Sequence, residues 1–222
     1  SIVLCMKWGI FGVALLCFQL GTSTVSAADK RELVVLILVD ALRPDHVGAY
    51  GYSKPTTPNI DQLAAEGTLY STSYVNAPWT RPSTASFLTG LNASRHGAES
   101  AKTKLPKKIL TLAERLKKVG WKSSAFVANG NGGSLARLEQ GFDTFRDPSN
   151  TYTRKKRGKT YNGLPTGEFL IDKAVKHLRR SKAKKEFVFL FLVDPHDPYR
   201  APARLEKKYL GDYKGKVRRR AL

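Results

Sequence analysis

Cysteine is nearly absent from this sequence of 222 residues, which contains 2 cysteines. Both of them, Cys5 and Cys17, fall within residues 1–27, and that stretch has the pattern of a secretory leader. Removal of the leader would leave a chain without cysteine. The sequence therefore excludes disulfide bonds, thiolate metal sites and a cysteine nucleophile from the mature protein.

The leader pattern begins with Met6 and Lys7, which an apolar run over 8–20 follows. Small residues come next, so we expect cleavage before Ala28 and a secreted or periplasmic protein. A membrane anchor is the alternative, but the run is shorter than the ~20 apolar residues that a spanning helix needs. We therefore divide the chain into a leader, 1–27, and a domain, 28–222, and expect membrane contact only through an uncleaved leader.

Acidic residues are also scarce, since 18 Asp and Glu stand against 38 Lys and Arg. The basic excess is concentrated in four runs: KTKLPKK (102–108), RKKRGK (154–159), RRSKAKK (179–185) and KVRRR (216–220). Such runs form solvated faces or attract acidic partners such as sulfated glycans. The secretory pattern, and the lack of a basic platform interleaved with aromatic residues, argue against nucleic acid as a partner.

Four apolar runs bounded by turn residues predict strands, at 33–39, 69–75, 121–128 and 187–193. Helical patterns lie between them, at 58–66, 83–89, 109–119 and 167–180. This alternation predicts an α/β domain with a mostly parallel sheet sandwiched by helices. The polar, basic stretch over 147–163 is typical of an exposed loop.

Polar residues directly follow three of the predicted strands: Asp40 after the first, Asn129 after the third, and Asp194 with His196 after the fourth. Ligands bind outside the carboxyl ends of strands in parallel sheets, so we expect these residues to meet at one edge. A carboxylate such as Asp40 can hold a hard divalent cation, or it can simply pair with a neighbour such as Arg43. His196, held between prolines in DPHDPY, is either a general acid or a surface histidine.

The stretch WTRPSTASFLTG (79–90) predicts a helix that Thr80 caps and Gly90 ends, with Pro82 in its first turn. A hydroxyl at a helix N-terminus is a weak nucleophile unless a metal ion lowers its pKa. Thr80 is therefore either an N-cap or a nucleophile. The roles of His46 and His96 stay open, and His177 is typical of a solvated helix residue.

Taken together, the motifs resemble the sulfatase family, within the alkaline phosphatase superfamily. The resemblance covers most of the chain from about residue 33 to 215, through LVVLILVDALRPDHVGAYGY, TTPNIDQLAAEG, PWTRPSTASFLTGLNASRHG and FLFLVDPHDPY. It implies an alkaline-phosphatase/sulfatase-like α/β fold and a hydrolase of sulfate or phosphate esters, on a small molecule or an acidic glycan. The family's later metal ligands have no counterpart, so we expect a partial sequence, incomplete at the C-terminus, that turns over slowly by itself.

The resemblance also assigns roles to residues. Asp40 corresponds to a ligand of a divalent metal, with Ca²⁺ expected, while Ala41 stands where the family often has a second Asp. Thr80 occupies the position of the formylglycine precursor. Formylglycine is not expected from threonine, so an unmodified Thr80 would be the nucleophile, as in superfamily relatives that cleave phosphate esters. Thr84 replaces the arginine of the family's motif.

His196 corresponds to the histidine of the family that contacts substrate. Asn129, Arg81 and Asp194 complete the predicted site as substrate-binding residues. The competing hypothesis is a non-catalytic sulfatase-like scaffold that binds acidic glycans through its basic surface, which the residues Ala41, Thr80 and Thr84 favour.

Overall fold

The structure, a computed structural model, describes residues 2–7, 31–148, 160–161, 164–197, 201 and 203–210. Most of the predicted leader, with its cleavage site, lies outside the described residues, as do the basic runs 154–159 and 216–220. Most of the loop predicted over 147–163 also falls outside them.

Three of the four predicted strands and all four predicted helices are present, in the predicted order, and the structure adds elements that the pattern did not predict. The elements are β1 (Ile2–Lys7), β2 (Glu32–Val39), α1 (Pro58–Glu66), α2 (Thr80–Thr89), α3 (Ala93–His96), α4 (Leu112–Lys118), β3 (Lys122–Val127), β4 (Thr144–Arg146), β5 (Thr160–Tyr161), β6 (Leu164–Pro165), α5 (Gly167–Arg180), β7 (Lys185–Leu192) and α6 (Ala203–Leu210). None of the described helices is long and apolar enough to cross a membrane.

Five strands form the main sheet in the order β1, β2, β7, β3, β4. The neighbours β2, β7, β3 and β4 are parallel, and β1 is antiparallel to β2 at the edge. Parallel strands need long crossovers, which the intervening helices provide. The predicted α/β class with a mostly parallel sheet is therefore confirmed.

The core of the domain surrounds β7, which lies between β2 and β3. Phe187, Phe189 and Phe191 are fully buried in this strand, and the Phe142 ring stacks on the first two at centroid distances of 6.0 and 6.3 Å. The FVFLFL run is apolar on both faces of the strand, as a strand in the middle of a covered sheet requires.

The predicted helices 58–66 and 167–180 have the predicted bounds, whereas the helix predicted at 109–119 is the shorter α4. Its start is fixed by a capping box: the Thr111 hydroxyl accepts from the Glu114 N–H at 3.2 Å, and the Thr111 N–H donates to the Glu114 carboxylate at 2.9 Å. Local side-chain hydrogen bonding therefore moves the helix start past Ile109.

The strand predicted at 69–75 is wrong. This stretch has no strand structure and lies exposed along its whole length, with Tyr70 and Tyr74 at 72% and 89% exposure. Strand propensity reflects packing on a half-buried surface, whereas every residue of this stretch is exposed. The apolar alternation of LYSTSYV was therefore insufficient to predict a strand.

Candidate active site

Asp40 lies at the carboxyl end of β2, where the chain leaves the sheet. Its backbone N–H donates to the Leu192 carbonyl at 2.8 Å and so extends the pairing with β7 by one bond. The side chain is 8% exposed. The next residue, Ala41, has a φ of 58°, a left-handed conformation that is unusual for a residue other than glycine.

The Thr80 hydroxyl donates a hydrogen bond to Asp40 Oδ2 at 3.0 Å. The prediction of Thr80 as N-cap is wrong, because α2 begins at Thr80 and its N-cap is Trp79, whose side chain makes no capping bond. The threonine hydroxyl therefore reaches across to the sheet. The other end was predicted correctly, since Gly90 ends the helix with a left-handed φ of 72°.

A cleft of about 300 Å³ opens beside this pair. The structure brings three of the predicted site residues together in its wall: Asp40, Thr80 and His196. The remaining lining residues are Ala41, Val75, Ala77, Pro78, Trp79, Ser83, Thr84 and Phe191. The cleft thus combines a carboxylate and hydroxyls with an apolar wall, at the sheet edge where parallel sheets bind ligands.

The ring of His196 is held by the loop that follows β7. The backbone N–H of His196 donates to the Val193 carbonyl at 2.9 Å. The ring nitrogen Nδ1 lies 2.6 Å from the Asp197 carbonyl. A carbonyl oxygen can only accept, so Nδ1 carries a proton and donates it there. Nε2 is therefore the nitrogen that can face a molecule in the cleft.

Three predicted substrate-binding residues have other partners and do not line the cleft. Both carboxylate oxygens of Asp194 accept from the Gly167 N–H at the start of α5, at 3.1 and 2.9 Å. Asn129 Oδ1 accepts from the Asn131 N–H at 2.9 Å and closes a turn. Arg81 is 4% exposed. Its partners are the carbonyls of Ser100, Ala101 and Thr103, at 3.0, 2.7 and 2.7 Å, and Asn131 Oδ1 at 2.9 Å.

His96, whose role the sequence left open, is completely buried beneath α2. Its Nδ1 accepts from the Ala98 N–H at 3.1 Å, so Nε2 carries the proton, 3.2 Å from the Pro82 carbonyl and 3.1 Å from Ser86 Oγ. Burial lowers the pKa of His96. The residue is thus a neutral brace that fixes the first turn of the helix carrying Thr80.

Ser83 and Thr84 line the cleft, although neither was predicted as a lining residue from the sequence. A signal for Thr84 was available, because it follows Thr80 by four residues and so lies on the same face of a helix. Both side chains are buried, at 6% and 1% exposure.

The oxygen atoms of Asp40 and Thr80 suit a hard divalent cation, which prefers carboxylate and other oxygen ligands. Across the described residues, no group of three or more His, Cys, Asp or Glu residues is placed to hold a metal ion. A cation at this place would find one carboxylate and one hydroxyl, from Asp40 and Thr80.

Solved structures of similar fold cover most of this chain. One, in complex with its substrate D-glucosamine-2-N,6-O-disulfate, has a TM-score of 0.67 at 21% identity and covers 82% of this chain and 38% of that one. The C-terminal periplasmic domain of EptC from Escherichia coli, in complex with Zn, has a TM-score of 0.58 at 17% identity, over 83% of this chain and 50% of that one. A protein of the alkaline phosphatase superfamily from Vibrio parahaemolyticus has a TM-score of 0.57 at 26% identity, over 78% of this chain and 43% of that one. This chain therefore shares the fold of these structures.

The sequence comparisons define the family within that superfamily. The sulfatase family model matches residues 32–218. N-acetylgalactosamine-6-sulfatase from Rattus norvegicus is 28% identical over 227 residues, which cover 84% of this chain and 43% of that protein. The chain belongs to the sulfatase family, as its motifs predicted, and it spans less than half the length of this relative.

Proposed function

We propose that this protein is a metal-dependent hydrolase of sulfate esters in which Thr80 is the nucleophile. The observation that carries the proposal is the 3.0 Å hydrogen bond from Thr80 Oγ1 to Asp40 Oδ2 in the wall of a cleft that His196 also lines. Membership of the sulfatase family supports the reaction class. A structural neighbour that binds a disulfated glucosamine supports a sulfated sugar as substrate.

Asp40 orients the nucleophile. Because Oδ2 accepts a hydrogen bond from the Thr80 hydroxyl, the lone pairs of Oγ1 are directed elsewhere and can meet an electrophilic sulfur atom in the cleft. As the new O–S bond forms, the proton passes from Oγ1 to Asp40 Oδ2 and the bond from sulfur to the departing alcohol breaks. The positive end of the α2 dipole, at Thr80, favours the negative charge that gathers on the sulfuryl oxygens.

His196 serves the departing alcohol. Its protonated ring donates from Nε2 to the leaving oxygen, while Nδ1 stays bonded to the Asp197 carbonyl. The neutral ring can then take a proton from the water that attacks the sulfur of the Thr80 ester. Thr80 Oγ1 leaves, recovers its proton from Asp40, and sulfate is released.

We expect Asp40 and Thr80 to hold a divalent cation, Ca²⁺ in this proposal. When bound, the ion lowers the pKa of a coordinated hydroxyl and offsets the charge of the ester. Formylglycine has no part in the mechanism, because threonine carries a methyl group on Cβ.

Phosphate esters are the second candidate substrates, which the unmodified threonine at position 80 favours. Turnover of an aryl sulfate, a phosphate monoester and a phosphodiester by the full-length protein would distinguish them. We expect Thr80→Ala to lower kcat/KM at least about 10³-fold on the preferred ester, and Thr80→Ser to retain activity. Unchanged turnover in Thr80→Ala would remove Thr80 from the mechanism.

A glycan-binding scaffold without catalysis is the alternative that the same protein samples test. Heparin retention that salt abolishes, together with no turnover and no bound metal, would favour it. Stoichiometric binding of Ca²⁺ that Asp40→Asn abolishes would favour the hydrolase.

We also propose that residues 1–27 direct secretion and are then removed, which would take away the edge strand β1 and leave the four parallel strands as the sheet of the mature protein. N-terminal sequencing of the protein from the extracellular or periplasmic fraction should begin at Ala28. A mature N-terminus that retains Met6 would contradict cleavage.

A further inference from the structure

Thr84 lines the cleft and carries a hydroxyl that is unpaired among the described residues. The residue is 1% exposed. A buried hydroxyl without a partner is unfavourable, and nearly all such groups in folded proteins are paired. A ligand oxygen at this wall of the cleft would supply the missing partner.

The position of Thr84 relates it to the proposed nucleophile. It lies one turn beyond Thr80 on α2, so the two side chains share a helix face. Pro82 has no N–H, and the Ser83 N–H donates to the Trp79 carbonyl. The N–H groups of Thr80 and Arg81 have no partner inside the helix, so the anion-attracting end of α2 lies one turn from Thr84.

Another threonine of the same helix shows what a structural hydroxyl looks like here. Thr89 Oγ1 donates to the Ala85 carbonyl at 2.7 Å and accepts from the Leu91 N–H at 3.2 Å. Both threonines are buried, at 8% for Thr89 and 1% for Thr84. Thr89 thus has its bonds within the protein and lies outside the set of cleft residues. Thr84 Oγ1 has no partner among the described residues, and Thr84 lines the cleft.

We propose that Thr84 Oγ1 donates a hydrogen bond to an oxygen of the tetrahedral oxyanion of the substrate, the sulfuryl or phosphoryl group that Thr80 attacks. The inference rests on the proposed function and adds a substrate-binding residue to it. A neutral donor stands where the family motif has arginine, so the anion is held there by a directional hydrogen bond and by the helix N-terminus.

Titration calorimetry with inorganic sulfate and, separately, inorganic phosphate tests the proposal on the full-length protein. Thr84→Val removes the hydroxyl at nearly constant volume, and we expect it to weaken binding of the preferred anion about tenfold. Thr84→Ser keeps the donor and should stay within about twofold of the wild type. Thr89→Val is the matched control, with unchanged anion affinity and a lower Tm. The Tm of Thr84→Val should equal or exceed that of the wild type, because no protein bond is lost.

Each other outcome overturns the proposal. Wild-type affinity in Thr84→Val shows that the hydroxyl does not touch the anion. A variant that fails to fold or loses Tm shows that the hydroxyl has a structural partner. Absence of sulfate and phosphate binding in the wild type removes the ligand. Loss of turnover in Thr80→Ala is read separately, so the proposed function can survive the failure of this inference.

Discussion

Two buried carboxylates lie at opposite ends of the same sheet and have different partners. Glu186, near the start of β7, is 1% exposed. One of its oxygens accepts from Arg31 Nη2 at 2.7 Å and the other lies 2.8 Å from His177 Nε2. Asp40, just beyond the end of β2, is 8% exposed, and its side chain accepts from the neutral hydroxyl of Thr80 in the wall of the cleft.

The difference shows that burial alone does not mark a functional carboxylate. Glu186 has a cation and an imidazole on its two oxygens, so its charge is compensated within the protein. Asp40 meets a neutral group and faces a space that a ligand can enter. The partner of the carboxylate, and what lies beside it, separate a structural role from a catalytic one.

The largest expected effect is the loss of activity when Asp40 is replaced. Asp40→Asn keeps the shape of the side chain but removes the charge that takes the Thr80 proton in the proposed mechanism, so we expect kcat/KM on the preferred ester to fall about 10³-fold. The Tm should change little. Comparable turnover in the variant and the wild type would end the distinction between the two carboxylates.

Glu186→Gln should lower stability and leave activity unchanged, the reverse of the effect expected for Asp40→Asn. The variant loses hydrogen bonds between charged groups, so we expect the free energy of unfolding to fall by about 2 kcal/mol in urea denaturation, with kcat/KM unchanged. The cost stays moderate because Arg31 is 40% exposed and can be solvated. Lost activity in a variant of wild-type stability would give Glu186 a functional role.

Thr111 extends the comparison to a neutral buried group. It is fully buried and its bonds to Glu114 form the capping box of α4. Thr111→Ala should lower the free energy of unfolding by about 1 kcal/mol, measured by denaturant unfolding. A Thr111→Ser variant keeps the cap and should lose less; equal losses would show that the methyl group matters more than the hydroxyl.

The smallest expected effect is the dependence of folding stability on pH that His96 contributes. Burial holds its pKa below the ordinary value of 6.5, so the unfolded chain binds the proton more readily. The contribution of His96 to stability is therefore complete above about pH 6.5 and is lost as the pH falls through its folded pKa.

Unfolding measured between pH 8 and pH 5 should show this loss, and His96→Gln, although less stable at pH 8, should show a flatter dependence. An unchanged slope in the variant would assign the pH dependence to other groups.

The sequence predicted the parts of the fold whose signal is local and repeated. The FVFLFL run could only be a covered strand, and the amphipathic pattern of 167–180 fixed α5 at its observed bounds. The prediction of a strand at 69–75 failed because alternating apolar residues do not show whether the folded chain offers a surface for a strand to pack on. Helix starts shifted where a side-chain bond, as at Thr111, overrides periodicity.

For the site, strand ends predicted which residues meet at one edge, and Asp40, Thr80 and His196 do line one cleft. The rule could not predict where each side chain points. Asp194 follows the same logic in sequence, yet both of its carboxylate oxygens accept from the Gly167 N–H of the scaffold. Spacing in the sequence predicts which residues lie close together. Whether a side chain bonds to the scaffold or faces the cleft depends on carbonyl and amide groups that are far away along the chain.

The left-handed turn at Ala41 has a consequence for engineering. Aspartate tolerates this backbone region better than most residues, because its short polar side chain can bond locally, and the sulfatase family often has aspartate at this position. Ala41→Asp would thus introduce a second acid beside Asp40 on a main chain already shaped for it. We expect this single substitution to raise the affinity of the proposed cation site without a change in the surrounding architecture.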